Sequence, residues 1–473
     1  MIFRSGQGPL LNLVRVLLFL REWGLFMGNT AKKMTLFTIT WPLFIEILLY
    51  MLMGNADTLM LSFYSDKAVA AVGVSNQILS LVIVMFGFVA TGTSILVAQN
   101  LGAKRGKNAT EIAAVSLGAN FLFGLLLSAI AFFFGGYLLQ LMDLPAELMN
   151  EAQIFLKIVG GFSFIQALIM TISAIIRSYG YTRDSMFLAV GMNILNVTGN
   201  SLFIFGLLGF PVLGPEGVAI STTVSRFIGF LFALYILFKR VPRPFPFKMM
   251  FRFPKEHISN LLRIGVPAAG ENLSYNASQM VITFFITSLG TEALTTKVYA
   301  QNIMMFIYLG SVAISQGTEI MIGHMVGGQK HEEAYKRCLK SLKLAIIISF
   351  SASLVFSLFS HQLVSFFTHN KDIIALGSTL ILLTTILEPG RSFNLVIING
   401  LRASGDVRFP VYMGILSMWG VSVTLSYILG IHFGLGLVGI WIAFICDEWL
   451  RGILMLTRWR SRIWVNKAFV KAG

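Results

Sequence analysis

The chain has 473 residues, 56% of them hydrophobic and only 12% charged, with a mean hydropathy of +0.78. That leaves too little polar surface to coat a soluble globule, and the chain reads as an all-α integral membrane protein. The formal net charge of +15 does not point to nucleic acid, because the basic residues gather on alternate connections between apolar runs.

Residues 1–34 form an amino-terminal extension whose apolar stretch at 9–20 is interrupted by Arg15. No small-residue cleavage site follows before Lys32 and Lys33, so this reads as a cytoplasmic interfacial segment rather than a signal peptide. Six stretches long enough to cross ~30 Å of hydrocarbon, about 20 residues each, then fall at 35–63, 70–101, 111–140, 147–178, 185–208 and 216–239. A basic connector rich in Pro and Phe occupies 241–260. Six more stretches follow at 261–289, 293–327, 340–367, 374–402, 409–432 and 436–458, then a basic tail at 459–473. Unbroken apolarity, without the alternation of barrel strands, makes them helices. Twelve transmembrane helices in two six-helix lobes, 35–240 and 261–458, are predicted.

The lobes repeat at an offset of 225 residues, which matches Pro42 with Pro267, Glu46 with Glu271, Tyr50 with Tyr275, Gly102 with Gly327 and Arg177 with Arg402. An even number of spans per half makes the repeats parallel, related by a pseudo-two-fold axis along the membrane normal, with substrate expected between bundles that rock. Lys and Arg crowd the termini, the connector and the turns near 104, 177, 330 and 402, whereas the opposite loops hold Lys67, Lys297 and Lys371. The positive-inside rule then places both termini and the connector in the cytoplasm, in a multi-pass protein of the cell membrane.

Chemistry must come from polar groups inside the spans, where an acid costs about 2.5–3.5 kcal/mol on insertion scales. In the first span, Glu46, Tyr50, Met53 and Asp57 share one face. At ~1.5 Å per residue the two acids stand about 16 Å apart. The seventh span repeats Glu271, Tyr275 and Ser278, but Ile282 replaces Asp57. Asn193, Asn196 and Asn200 lie on neighbouring parts of one face of the fifth span, placed to hydrogen-bond Asp57. Asp57 is therefore a coupling-ion candidate; a helix-capping role is the alternative. Glu46 and Glu271 each follow a proline, and either bond backbone groups it frees or serve as a proton or substrate site with Tyr50 and Tyr275. Glu388 and Arg391 flank Pro389–Gly390 in the tenth span as a self-neutralising or gating pair, and Asp447 and Glu448 are placed to pair with Arg451. Cys338, Cys446 and six scattered His form no metal-ligand pattern, so no cofactor or metal is expected.

Pro42, the segment from Gly54 to Met60 (Gly-Asn-Ala-Asp-Thr-Leu-Met), Gly73-Val-Ser-Asn-Gln77, the paired Gly-Thr at 92–93 and 317–318, Ala98-Gln-Asn-Leu-Gly-Ala103, the Arg-x-x-Gly turns at 177 and 402, and the Asn-rich fifth span resemble the multidrug and toxic compound extrusion (MATE) family. The resemblance runs from about Thr35 to Arg458. It implies efflux of lipophilic or cationic compounds driven by protons or sodium ions. It places Asp57 on the family's coupling acid and Asn196 and Asn200 on its partners. Where a sodium-coupled branch carries an acid in the tenth span, this chain has Arg391, which would repel a bound cation, so a proton is the expected ion and sodium the alternative. Small-molecule substrates and membrane lipids are the expected partners of a monomer. A lipid-linked precursor flippase is the other transporter reading, disfavoured by the few intramembrane bases, Lys157, Arg226 and Arg391. A membrane-embedded enzyme would need clustered catalytic groups, which the sequence lacks.

Overall fold

The computed structural model describes residues 34–242 and 244–470, so the expected amino-terminal extension lies almost wholly outside them. From Leu36 onward the described residues form helices joined by short turns, with no strand among them. α1 (Leu36–Ser62), α2 (Asp66–Gly102) and α3 (Gly106–Leu141) are each continuous. The fourth predicted span is broken: α4 (Ala146–Phe155) passes through a π turn (Leu156–Gly160) and bends by 42° into α5 (Ser163–Ser178). The cause is the Gly160–Gly161 pair. A Cβ on Gly160 would lie 2.8 Å from the Ala131 methyl and one on Gly161 3.0 Å from the Phe132 ring, so α3 presses on bare backbone at the bend.

α6 (Thr182–Phe205) and α7 (Pro215–Arg240) complete the first repeat. The connector then departs from expectation. It carries a short helix, α8 (Met249–Arg252), whose Met250 carbonyl rests against Gly118 of α3, and its Phe245 is buried against Phe238 and Phe247. α9 (Lys255–Ser288) starts at 255 rather than at the predicted 261. Pro254, which has no N–H to leave unpaired, stands just before its first turn, and the charged Lys255 and Glu256 disguised that turn as loop.

The second repeat continues with α10 (Thr291–Gly327), α11 (His331–Leu358), the short α12 (Ser360–Ser365), α13 (Lys371–Ser404), which stays helical through Pro389, and α14 (Arg408–Ser417), extended by π turns to His432. α15 (Gly436–Arg460) is last. The tail beyond it is packed: the buried Trp459 and Trp464 rings stack at 4.3 Å, and the Phe469 N–H donates to Gln99 Oε1 on α2 at 2.9 Å.

Among the described residues nine helices are long and apolar enough to cross a membrane, or ten with α4–α5 counted as one bent span. α9 and α15 are comparably long but more polar. α9 carries Glu271, Asn272, Asn276 and Gln279, and α15 carries Asp447, Glu448 and Arg451 at its middle.

Contacts between the repeats come in mirrored pairs. Gly102 of α2 lies against the His324 carbonyl of α10, and Gly327 of α10 against the Gln99 carbonyl of α2, with no room for a Cβ at either glycine. Gln99 donates to the Ala403 carbonyl at 2.7 Å, and His324 Nε2 meets the Ser178 carbonyl at 2.7 Å. Every residue in one contact is the 225-residue counterpart of a residue in the other. Contacts of i with j and j with i are what a two-fold relation produces.

Gly327→Val should overpack this crossing at a cost of about 1–3 kcal/mol, read as a lower Tm of the purified protein in detergent. Gly191→Ala, at a glycine with open space around it, should leave the Tm unchanged or slightly raised.

Candidate functional site

The helical period that puts Glu46, Tyr50, Met53 and Asp57 on one face of α1 turns that face into a cavity of about 690 Å³. Its wall is built from the first repeat, with Gln316 of α10 added from the second. Apolar lining comes from Leu79, Ile83, Phe155 and Met170, and charges come from Glu46, Asp57, Arg177 and Arg226.

Asp57 is buried and accepts a 2.5 Å hydrogen bond from the Asn200 amide on α6. Asn196 gives its amide to Thr222 Oγ1 at 3.1 Å. The Oδ1 atoms of Asn196 and Asn200 are both buried without a donor, leaving two free acceptors on α6 near the carboxylate. Asn193 does not join them. Its amide bonds the Ala189 carbonyl of its own helix at 2.9 Å, whereas Asn200 reaches Asp57 and Asn196 reaches Thr222.

Glu46 is held by Arg177 at 2.8 Å, and the repeat reproduces the bond as Arg402 with Glu271. This corrects two expectations. Arg177 and Arg402, counted as loop charges, sit in the last turns of α5 and α13 and reach back to α1 and α9. Glu46 does not bond the backbone that Pro42 frees; the Thr38 carbonyl, four residues before that proline, instead accepts from Thr182 Oγ1 at 3.4 Å. Tyr50 lines the cavity, whereas its repeat partner Tyr275 remains 45% exposed.

The other half is locked by charge. Glu388 pairs with Arg391 at 2.7 Å, Arg391 reaches Glu448 at 3.6 Å, and Arg451 holds both Glu448 (3.1 Å) and Asp447 (2.8 Å). Asn394 donates to Glu448 and Ser417 to Asp447. The two separate ion pairs expected from sequence thus form one chain across α13 and α15. Sequence reasoning passed over Glu319 of α10, a buried acid with no hydrogen bond among the described residues, on which the charges of Arg402 and Arg177 act. The signal was there: the repeat reads Gly-Thr-Ser-Ile at 92–95 and Gly-Thr-Glu-Ile at 317–320.

A bundle of long apolar helices around a cavity with a buried carboxylate defines a multi-pass membrane transporter. The MatE family model matches the chain twice, over residues 42–202 and 267–428. The chain belongs to this family of multidrug efflux transporters. It is 58% identical to "Uncharacterized transporter YisQ" of Bacillus subtilis, covering 92% of this chain and 96% of that one. It is 26% identical to "Probable multidrug resistance protein NorM" of Thermotoga maritima, over 89% and 91% of the two chains. The fold is similar to a crystal structure of MATE in the bent conformation (TM-score 0.83, 22% identity, 90% and 94% covered). It is equally similar to a MOP superfamily transporter from Pyrococcus furiosus (TM-score 0.83, 22% identity, 94% and 100% covered).

Glu46→Gln should cost on the order of 3 kcal/mol, because it strands Arg177. The double variant Glu46→Gln with Arg177→Met should recover part of that loss. Thermal unfolding of all three forms measures the coupling, and simple additivity would mean that the pair contributes none.

Proposed function

We propose that this chain exports lipophilic or cationic organic compounds in exchange for protons, by alternating access between two six-helix lobes, 35–240 and 261–458. The observation that carries the reading is Asp57: a buried carboxylate facing a largely apolar cavity, with one amide donor and two unused amide acceptors beside it. Such a group exchanges a proton for the positive end of a substrate, since protonation removes the charge that holds the cation. Ion coupling belongs to the first lobe because Ile282 stands at the repeat position in the second.

In this reading α9 and α15 also cross the membrane, making twelve spans. Their charges have partners within the protein, Glu271 with Arg402 and Asp447 with Arg451, which makes the crossing affordable. The basic turns, both termini and the connector face the cytoplasm of the cell membrane. The mirrored Gln99–Ala403 and His324–Ser178 bonds close the two lobes at that end, a state that presents the cavity to the outside. The protein acts as a monomer among membrane lipids. A balance of two acids and two bases around the cavity favours a drug-like substrate over the pyrophosphate of a lipid-linked precursor, which calls for a cationic site.

In vesicles with an imposed proton gradient, Asp57→Asn should abolish uphill export of an organic cation, and unchanged export would remove Asp57 from coupling. Export that follows a sodium gradient and ignores a proton gradient would replace the proton with sodium.

A further inference from the structure

The two repeats treat one intramembrane arginine differently. Arg226 of α7 and Arg451 of α15 stand 225 residues apart, at the same repeat position. Arg451 is closed off by Asp447 at 2.8 Å and Glu448 at 3.1 Å, one turn before it on its own helix. At the two matching positions before Arg226 the chain has Thr222 and Thr223. The arginine is kept and both of its counter-ions are gone.

Nothing among the described residues replaces them at contact distance. Arg226 forms no ion pair there, its buried Nε has no hydrogen-bond partner, and the buried Thr223 Oγ1 beside it has none either. The side chain lines the cavity. The groups facing it are Asp57, which acts on it through longer-range charge and is hydrogen-bonded by Asn200, and Tyr50; Glu46, on the same wall, is committed to Arg177. A guanidinium inside an apolar span is costly without a partner, and its planar fork matches a carboxylate.

We propose that Arg226 is an anion anchor in the first-lobe cavity, taking the carboxylate of an amphipathic, zwitterionic substrate whose cationic group faces Asp57. The apolar body of such a molecule lies against Met53, Leu79, Ile83, Phe155 and Met170. A plain lipophilic anion fits less well, because Asp57 and Glu46 line the same space and repel it. The assignment rests on the reading of this cavity as the substrate site. It adds that a proton on Asp57 releases one end of the substrate while Arg226 continues to hold the other, so the anchor governs which compounds bind rather than which ion drives them.

The test is equilibrium binding to the purified protein in detergent, using two fluorescent probes that share one lipophilic body and one tertiary ammonium. One probe carries a free carboxylate and the other its methyl ester. The natural chain should prefer the carboxylate by on the order of tenfold, the scale of one charge-assisted hydrogen-bonded pair. Arg226→Gln should bring the carboxylate probe down to the affinity of the ester. Thr222→Asp combined with Thr223→Glu keeps the arginine and restores the acids of the other repeat, and should erase the same preference. Equal affinity for the two probes in the natural chain, no binding of the carboxylate probe, or a preference that survives both changes overturns the proposal. No gradient enters this measurement, so a failure of proton coupling leaves it standing, and equal probe affinities leave Asp57 free to couple.

Discussion

A charge placed inside an apolar span is costly unless it finds a partner within the protein, because hydrocarbon cannot solvate it. That constraint orders the interior of this chain. Arg177 reaches 131 residues back along the sequence to Glu46, and Arg402 spans the same 131 residues to Glu271. These two bonds tie the end of α5 to α1 and the end of α13 to α9. In doing so they define where the face of α1 that carries Tyr50 and Asp57 can point.

The repeats satisfy the constraint in different ways, and the difference has mechanical content. Around α15 the partners are local: Asp447 and Glu448 lie four and three residues before Arg451, so their pairing survives any movement of the helix as a rigid body. In the first repeat the acid sits on α1, its amide partner on α6 and the arginine on α7. Any shift of those helices against one another changes what Asp57 and Arg226 face. A bundle whose ion pairs are local thus lies beside one whose charges are shared across helices.

Much of this was legible in the sequence. The offset located the repeated Glu and Arg positions, and the helical period assigned Glu46, Tyr50, Met53 and Asp57 to one face, which is the face lining the cavity. Which arginine answers which acid was not legible, since Arg177 lies in a turn-forming motif and only tertiary packing bends it inward. Asn193 was misplaced for a related reason. A spacing of three or four residues fixes direction only to within part of a turn, and of the three amides Asn200 reaches Asp57, Asn196 turns to Thr222 and Asn193 bonds its own helix. The bend at Gly160 and the early start of α9 depend on neighbours pressing on bare backbone and on a proline cap, neither of which changes mean apolarity. Glu319 opposite Ser94, and Thr222 and Thr223 opposite Asp447 and Glu448, were visible as breaks in the repeat, and the breaks carried more information than the matches.

The crossing of α2 with α10 follows the repeat as closely. α2 and α10 meet backbone to backbone at Gly102 and Gly327, so the crossing is tight, yet the polar bonds that fasten it are few: Gln99 to the Ala403 carbonyl and His324 to the Ser178 carbonyl. Both acceptors lie in the last turns of their helices, where carbonyls have no intrahelical donor. Each such bond contributes about 0.5–1.5 kcal/mol net. A crossing made this way is specific in register, because each glycine contact and each bond has its counterpart 225 residues away. The Phe469 N–H on Gln99 Oε1 adds the carboxyl-terminal segment to that crossing, so the same side chain fastens the second repeat with its amide N–H and the tail with its carbonyl.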